Sequence, residues 1–275
     1  MIVHGLSEIE LKNIPSNSVD LVFTSPPYAD RRKRVYGGIS EDQYIDWFSG
    51  IAVELKRILK DTGSFFLNIK EHTKDGERSL YVFDLVIHLK RVVGFNFVDT
   101  YAWTRQGYPG NYKGRFKNAW EPIYHFCTGN PSNITFNPLA FGTPLKPESV
   151  ARATRKKAGL TTNGSGMGGG GHITHKAMEG AGLSRPTNVI HIPNILNQHS
   201  ANVMHPATFP LRLAEFFIGS FSNEGDTVLD PFAGSGTVGV ACENLDRRYI
   251  LIEKEAKYIP IIEDTVYNAA LNNLL

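Results

Sequence analysis

The sequence is poor in cysteine: Cys127 and Cys242 are the only two in 275 residues. Two distant thiols cannot build a disulfide framework, which excludes a stapled secreted scaffold and makes a reducing, cytoplasmic setting the expectation. No apolar run reaches the ~20 residues that cross a bilayer. The N-terminus lacks a secretory pattern, so no membrane association is expected. No internal repeat is visible. What is present is an ordinary globular mix, 41% hydrophobic and 20% charged residues. That composition can bury a full core and excludes disorder over the whole length.

Net charge is also small, +2 from 29 basic and 27 acidic residues. Its distribution is uneven. Asp30, Arg31, Arg32, Lys33 and Arg34 form one basic stretch; Arg105, Lys113, Arg115 and Lys117 form a second, with no acid in residues 101–120. Lys146, Glu148, Arg152, Arg155, Lys156 and Lys157 form a third. Basic stretches on an otherwise acidic chain suit a polyanion partner, or are solvated surface loops.

Apolar periodicity alternates between strand and helix. Val19–Thr24 reads as a buried strand stopped by Pro26-Pro27. Glu41 to Leu59 has helical spacing, with Tyr44, Ile45, Trp47, Phe48, Ile51, Leu55 and Ile58 on one face and Ser40 as N-cap. Asp61-Thr62-Gly63 reads as a turn into a strand over Ser64–Ile69. A helix over Leu80–Val93 and strands over Phe95–Trp103 and Glu121–Cys127 follow. From Gly129 to about residue 200 the pattern dissolves into Pro, Asn, Thr and Gly, including the tract Asn163–Gly171. It returns with a helix at Phe209–Phe221, a strand at Val228-Leu229, a helix at Thr237–Leu245, a strand at Tyr249–Glu253 and a helix at Tyr258–Leu271. The alternation predicts an α/β fold, a mostly parallel sheet with helices on both faces.

Two motifs carry chemistry. The first is Asp230-Pro231-Phe232-Ala233-Gly234-Ser235-Gly236-Thr237, between a strand and a helix. Its glycines let backbone amides approach a ligand at the positive end of the helix, and Asp230 can hold an amine or a hydroxyl. Glu253, at the end of the next strand, is placed to grip ribose hydroxyls. Gly234, Gly236 and Gly239 also satisfy the dinucleotide-binding glycine pattern. Too little chain follows Gly239 to complete such a sheet, and Asp-Pro-Phe puts a charge and a bulky ring where a pyrophosphate turn wants neither. A small cationic nucleoside, S-adenosylmethionine, fits better. The second motif is Thr24-Ser25-Pro26-Pro27-Tyr28. Two prolines remove amide donors and expose rigid carbonyl acceptors, Ser25 adds a hydroxyl, and Tyr28 offers a flat ring. Fixed acceptors beside a stacking ring suit the exocyclic amino group of a nucleobase.

Ser-Pro-Pro-Tyr near the N-terminus, with Asp-Pro-Phe-Ala-Gly-Ser-Gly-Thr near the C-terminus, resembles the β-group of amino-methylating DNA methyltransferases. The order matches too: catalytic motif, target-recognition region, cofactor motif. Leu55–Leu67 resembles the family's helix-turn-strand after the catalytic motif, and Arg115–Phe126 its next block. The segment from His205, Pro206 and Thr208 into the following helix resembles the part that closes over the cofactor's methionine end.

The resemblance implies an S-adenosylmethionine-dependent fold with a circularly permuted motif order. It divides the chain into a catalytic half (1–128), a target-recognition region (129–202) and a cofactor half (203–275). Ser25, Pro26, Pro27 and Tyr28 become the catalytic residues. Asp230, Phe232, Ala233, Gly234, Ser235, Gly236, Thr237, Glu253, His205, Pro206 and Thr208 become the cofactor set. Arg31, Arg32, Lys33, Arg34, Arg105, Lys113, Arg115, Arg152, Arg155, Lys156 and Lys157 become contacts to double-stranded DNA.

Serine rather than aspartate at the first catalytic position points to cytosine N4, with adenine N6 or an RNA base as alternatives. Carbon-5 methylation needs a thiolate beside a proline, which neither cysteine provides. The chain departs from the family in one place: Gly5-Leu6-Ser7 has leucine where relatives often carry an acid. The resemblance also admits a restriction endonuclease acting on the same site as a functional partner, with no stable complex implied. The chain is expected to be a monomer or homodimer. His172, His175, His191, His199 and His205 lack an accompanying cysteine, so no metal site is expected.

Overall fold

The computed structural model describes residues 1–30, 38–104, 113–145, 182–193 and 209–273. Two compact units divide the chain, Met1–Asn137 with Asn188–Leu275, and Pro138–Thr187. The larger unit is built on an eight-stranded sheet. Its strands are β1 (Ile2–His4), β2 (Val19–Thr24), β3 (Leu59–Asn68), β4 (Asn96–Thr104), β5 (Trp120–Cys127), β6 (Val189–His191), β7 (Thr227–Asp230) and β8 (Arg248–Glu253). Across the sheet they lie in the order β1-β8-β7-β2-β3-β5-β4-β6. Neighbours run parallel except β5, which is antiparallel to β3 and β4.

The central strand explains itself. All six residues of β2 are buried, as expected where both faces of a parallel sheet are covered. Its one acid, Asp20, is tied to Lys60 Nζ at 2.7 Å and accepts the Thr227 amide at 2.9 Å. Helices α2 (Glu41–Ile58) and α3 (Tyr81–His88) cover one face, sealing an apolar cluster with Phe48, Leu55, Phe65 and Leu85. Helices α4 (Leu211–Phe221), α5 (Thr237–Asn244) and α6 (Ile259–Asn272) seal a second cluster with Phe23, Phe66, Phe217 and Leu251 on the other. A short α1 (Ser7–Glu10) follows β1. On α2 the buried side chains are Tyr44, Phe48, Ile51, Ala52, Leu55 and Ile58, the helical stripe the spacing predicts.

Three expectations are corrected. Asp61-Thr62-Gly63 is an excursion within β3 rather than a turn before it: Val19 pairs with Leu59 and Leu21 with Ser64, so the residues between bulge outward. Ser40 occupies the N-cap of α2, but its hydroxyl bonds the Gln43 side chain at 3.1 Å instead of a backbone amide. The expected long helix over Leu80–Val93 ends as α at His88 and widens into a π turn over Leu89–Val93, closed by Gly94 at φ +83°.

Within the irregular span, the compact second unit is Pro138–Thr187. Before it, Thr135 donates its amide to Thr62 and Asn137 to Ser220, so this stretch packs on the larger unit. After it, β6 adds an edge strand to the main sheet beside β4. Within the described part of the smaller unit, Thr143–Pro144 pairs with Leu183–Ser184. No helix among the described residues is long and apolar enough to cross a membrane.

Candidate active site

Parallel neighbours deliver their carboxyl ends to one edge of the sheet. Asp230 ends β7, Thr24 ends β2 and Glu253 ends β8, and β7 lies between the other two. The two motifs, about two hundred residues apart in sequence, therefore emerge side by side. Thr24 Oγ1 donates to Asp230 Oδ1 at 2.6 Å, a direct bond between the strand ends that launch them. The same Asp230 oxygen accepts the Phe232 amide at 3.0 Å, which folds the chain over the carboxylate.

The glycine loop is shaped by Glu253. Its Oε2 accepts the Gly234 amide at 2.9 Å and its Oε1 the Glu255 amide at 2.8 Å. Gly234 at φ +56° and Gly236 at φ +84° occupy the left-handed region, which a side chain makes costly. A Cβ on Gly236 would also lie 2.9 Å from Ile262 Cγ2. Gly239 plays a different part: its missing side chain lets α5 settle against Leu251 and Val266. Thr237 begins α5 and is buried, and Ser235 Oγ lies 3.4 Å from Thr237 Oγ1.

Asp230 is buried, and burial lifts its carboxyl from the ordinary range to about 7. The Thr24 hydroxyl and the Phe232 amide oppose that rise, and Glu253 adds to it. Burial likewise raises Glu253, against its two amide donors. No lysine or arginine among the described residues pairs with Asp230. A desolvated carboxylate with no counter-charge among the described residues, next to a second acid and a glycine cradle, fits a cationic ligand with hydroxyls to bind.

The Ser25–Tyr28 turn faces this loop from β2. Ser25, Pro27 and Tyr28 are half-buried and Pro26 is buried. Both proline carbonyls read as candidate acceptors in the sequence, but that of Pro27 is already engaged: it accepts the Tyr44 hydroxyl at 2.8 Å. The Pro26 carbonyl and the Ser25 hydroxyl are the acceptors left to this turn. Tyr28 packs against the same apolar cluster as Trp47 and Phe232, whose rings lie 5.8 Å apart.

Three bracing residues were missed in the sequence. Thr24 lay inside the quoted motif, and a buried hydroxyl at a strand end was the available signal. Ser7 Oγ donates to the Pro231 carbonyl, holding the glycine loop from the N-terminal segment. Glu8 accepts Trp47 Nε1 at 2.6 Å and so steadies the ring beside Phe232. The acid absent at Leu6 is thus supplied two residues later, for a different partner.

Of the basic residues, Lys113 is exposed, whereas Arg115 Nη1 donates to Thr73 Oγ1 at 2.7 Å. Arg31, Arg32, Lys33, Arg34, Arg105, Arg152, Arg155, Lys156 and Lys157 lie outside the described residues, as do His205, Pro206 and Thr208. His191 ends β6, with Nδ1 2.5 Å from Thr104 Oγ1.

Residues 19–264 match the DNA methylase family that comprises N6 and N4 enzymes. The chain belongs to this family. It is 30% identical over 268 residues to the type II methyltransferase M.PvuII of Proteus hauseri, covering 90% of this chain and 78% of that protein. It is 29% identical to the DNA adenine methyltransferase YhdJ of Escherichia coli (strain K12), covering 94% and 79%. Among solved structures, the cytosine-N4-specific PvuII DNA methyltransferase superposes with a TM-score of 0.70 at 25% identity, over 98% of this chain and 92% of that one. A Thermus thermophilus protein solved with S-adenosyl-L-methionine shares the fold, with a TM-score of 0.63 at 21% identity over 98% and 93%. The protein is therefore a DNA methyltransferase, of a class whose methyl donor is S-adenosyl-L-methionine. The relatives include both cytosine-N4 and adenine enzymes.

Proposed function

We propose that the protein methylates the exocyclic N4 of cytosine in double-stranded DNA at a specific site. The observation that carries this reading is the 2.6 Å bond from Thr24 to Asp230, which sets an amine-accepting turn against a cation-seeking loop. Asp230, Glu253 and the backbone of Gly234–Gly236 hold the cofactor, with Phe232 as an apolar wall. When bound there, the cofactor supplies a methyl group on a positively charged sulphur.

The chain's own residues do the rest by orientation. The target base leaves the stack, at a cost of a few kcal/mol, and lies against Tyr28. The Ser25 hydroxyl and the Pro26 carbonyl accept hydrogen bonds from its amino group. An aromatic amine is a weak nucleophile because its lone pair is spread into the ring. Acceptors fixed on both N–H groups favour a tetrahedral nitrogen and localise that pair toward the methyl. The Tyr44–Pro27 bond keeps the turn from relaxing. The proton leaves during or after transfer, so no strong base is needed.

Ser25 rather than an acid favours cytosine over adenine, and the basic stretches contact phosphates. Arg152, Arg155, Lys156 and Lys157 are proposed to lie in the target-recognition region. A cognate endonuclease meets this enzyme through the shared DNA site, and a monomer or homodimer suffices.

Mass spectrometry of nucleosides from DNA methylated by the full chain tests the reading. N4-methylcytosine is expected. N6-methyladenine as the main product overturns the assignment of the base, and 5-methylcytosine overturns the mechanism. Ser25→Asp is expected to shift product toward adenine. Tritium transfer to duplex DNA should exceed transfer to RNA of the same sequence.

A further inference from the structure

Just beyond the catalytic turn, three side chains from separate elements converge. Asp30 follows the Ser25–Tyr28 turn, Glu41 opens α2, and His72 lies on the loop after β3. Their ligand-type atoms all lie within 4.8 Å of one another. The His72 side chain is only 9% exposed, and its Nδ1 is buried with no hydrogen-bond partner. Glu41 Oε1 sits 2.7 Å from His72 Nε2, yet it too is buried without an aligned hydrogen bond.

The backbone at Asp30 is itself anchored near the start of α2. Asp30 holds φ +52°, uncommon for a side-chain-bearing residue, and its amide donates to the Ile39 carbonyl at 2.9 Å. Asp30 and Glu41 therefore stand at the two ends of the segment that carries Arg31, Arg32, Lys33 and Arg34.

We propose that Asp30, Glu41 and His72 form a binding site for a divalent first-row metal ion that ties the residue after the catalytic turn to the start of α2 and to the segment after β3. Two carboxylates neutralise a dication, and one imidazole favours Zn²⁺ and Mn²⁺ over Mg²⁺. Ligand atoms around such an ion are about 3–4 Å apart, given bond lengths of about 2.0–2.2 Å; Glu41 and His72, 2.7 Å apart, would separate slightly and the rest of the cluster, within 4.8 Å, would draw in. Nothing in the sequence pattern hints at this set, because its members share no short spacing and stand apart from the histidines of the irregular span. The site is independent of which base is methylated.

The test is calorimetric titration of the EDTA-treated full chain with Zn²⁺, Mn²⁺ and Mg²⁺ separately. One ion per chain is expected, tightest for Zn²⁺ and weakest for Mg²⁺. Glu41→Gln and His72→Gln should each weaken Mn²⁺ binding at least tenfold while S-adenosylmethionine still binds as in the wild type. Asp30→Asn serves the same purpose should either variant fail to fold. In Mn²⁺ electron paramagnetic resonance, nitrogen coupling should be present in the wild type and absent in His72→Gln. No stoichiometric binding, or binding unchanged in these variants, overturns the proposal and leaves the Glu41–His72 contact as an ion pair.

Discussion

The two turns that meet at the sheet edge are made by opposite means. The Asp230–Thr237 loop concentrates negative charge in a dry place: Asp230 is buried and lifted to about 7, Glu253 stands on the next strand, and glycines remove side-chain bulk. The Ser25–Tyr28 turn holds no charge and works by rigidity, with two prolines, one carbonyl locked by Tyr44 and a ring packed on the core. One region waits for a cation and is sensitive to charge and pH. The other, under the proposed function, receives a planar amine and is sensitive to shape. The proposed methyl transfer needs both properties side by side, and the bond from Thr24 to Asp230 couples the two strand ends.

Removing the charge should separate them most sharply. Asp230→Asn is expected to weaken S-adenosylmethionine binding about a hundredfold at pH 8, about 2.7 kcal/mol, with DNA affinity unchanged. Calorimetry with each ligand checks this.

The same variant reports the buried acid. The folded carboxyl titrates near 7 and the unfolded one near 3.8. Between these values the folded state binds the extra proton, so this group's contribution to stability falls as pH rises from about 4 to 7. Asn at this position should therefore gain stability relative to wild type on going from pH 5 to pH 8, measured by urea unfolding without cofactor. Cofactor affinity of the wild type should fall as pH drops below 7, and that of the variant should not.

Steric damage to the charged region comes next. Gly236→Ala forces a Cβ to 2.9 Å from Ile262 at a left-handed φ, and should cost about 1–3 kcal/mol of stability in thermal unfolding. On the uncharged side, Tyr28→Ala should lower methyl transfer about 10- to 100-fold, from lost base stacking, and leave cofactor affinity unchanged. The smallest effect is expected for Tyr44→Phe. It removes one hydroxyl from Pro27 without changing shape, at about 1 kcal/mol, read as a several-fold loss in single-turnover rate at unchanged cofactor affinity.

Much of this was legible because it is local. The alternation of β2, α2 and β3 follows from apolar spacing, and the Ser-Pro-Pro-Tyr and glycine motifs announce turns after buried strands. The bulge at Asp61–Gly63 was not legible, since a turn signal looks the same whether a strand ends or merely swells there. Nor was β6, three residues whose partner β4 lies some ninety positions earlier. The interleaving of N-terminal and C-terminal strands at the site was not legible either. β7 sits between β2 and β8, while β1, Ser7 and Glu8 from the N-terminus edge and brace the glycine loop.

The residue types at each turn, and the class of chemistry they suit, are written in the order of amino acids alone, because strand-stopping prolines, loop glycines and strand-end acids act on their immediate neighbours. It took the folded sheet to bring Thr24 to Asp230, to commit Pro27 to Tyr44, and to make Asp30, Glu41 and His72 converge. Those contacts depend on strand order, and strand order is set by how two apolar faces are buried across the whole sheet, which no local pattern encodes.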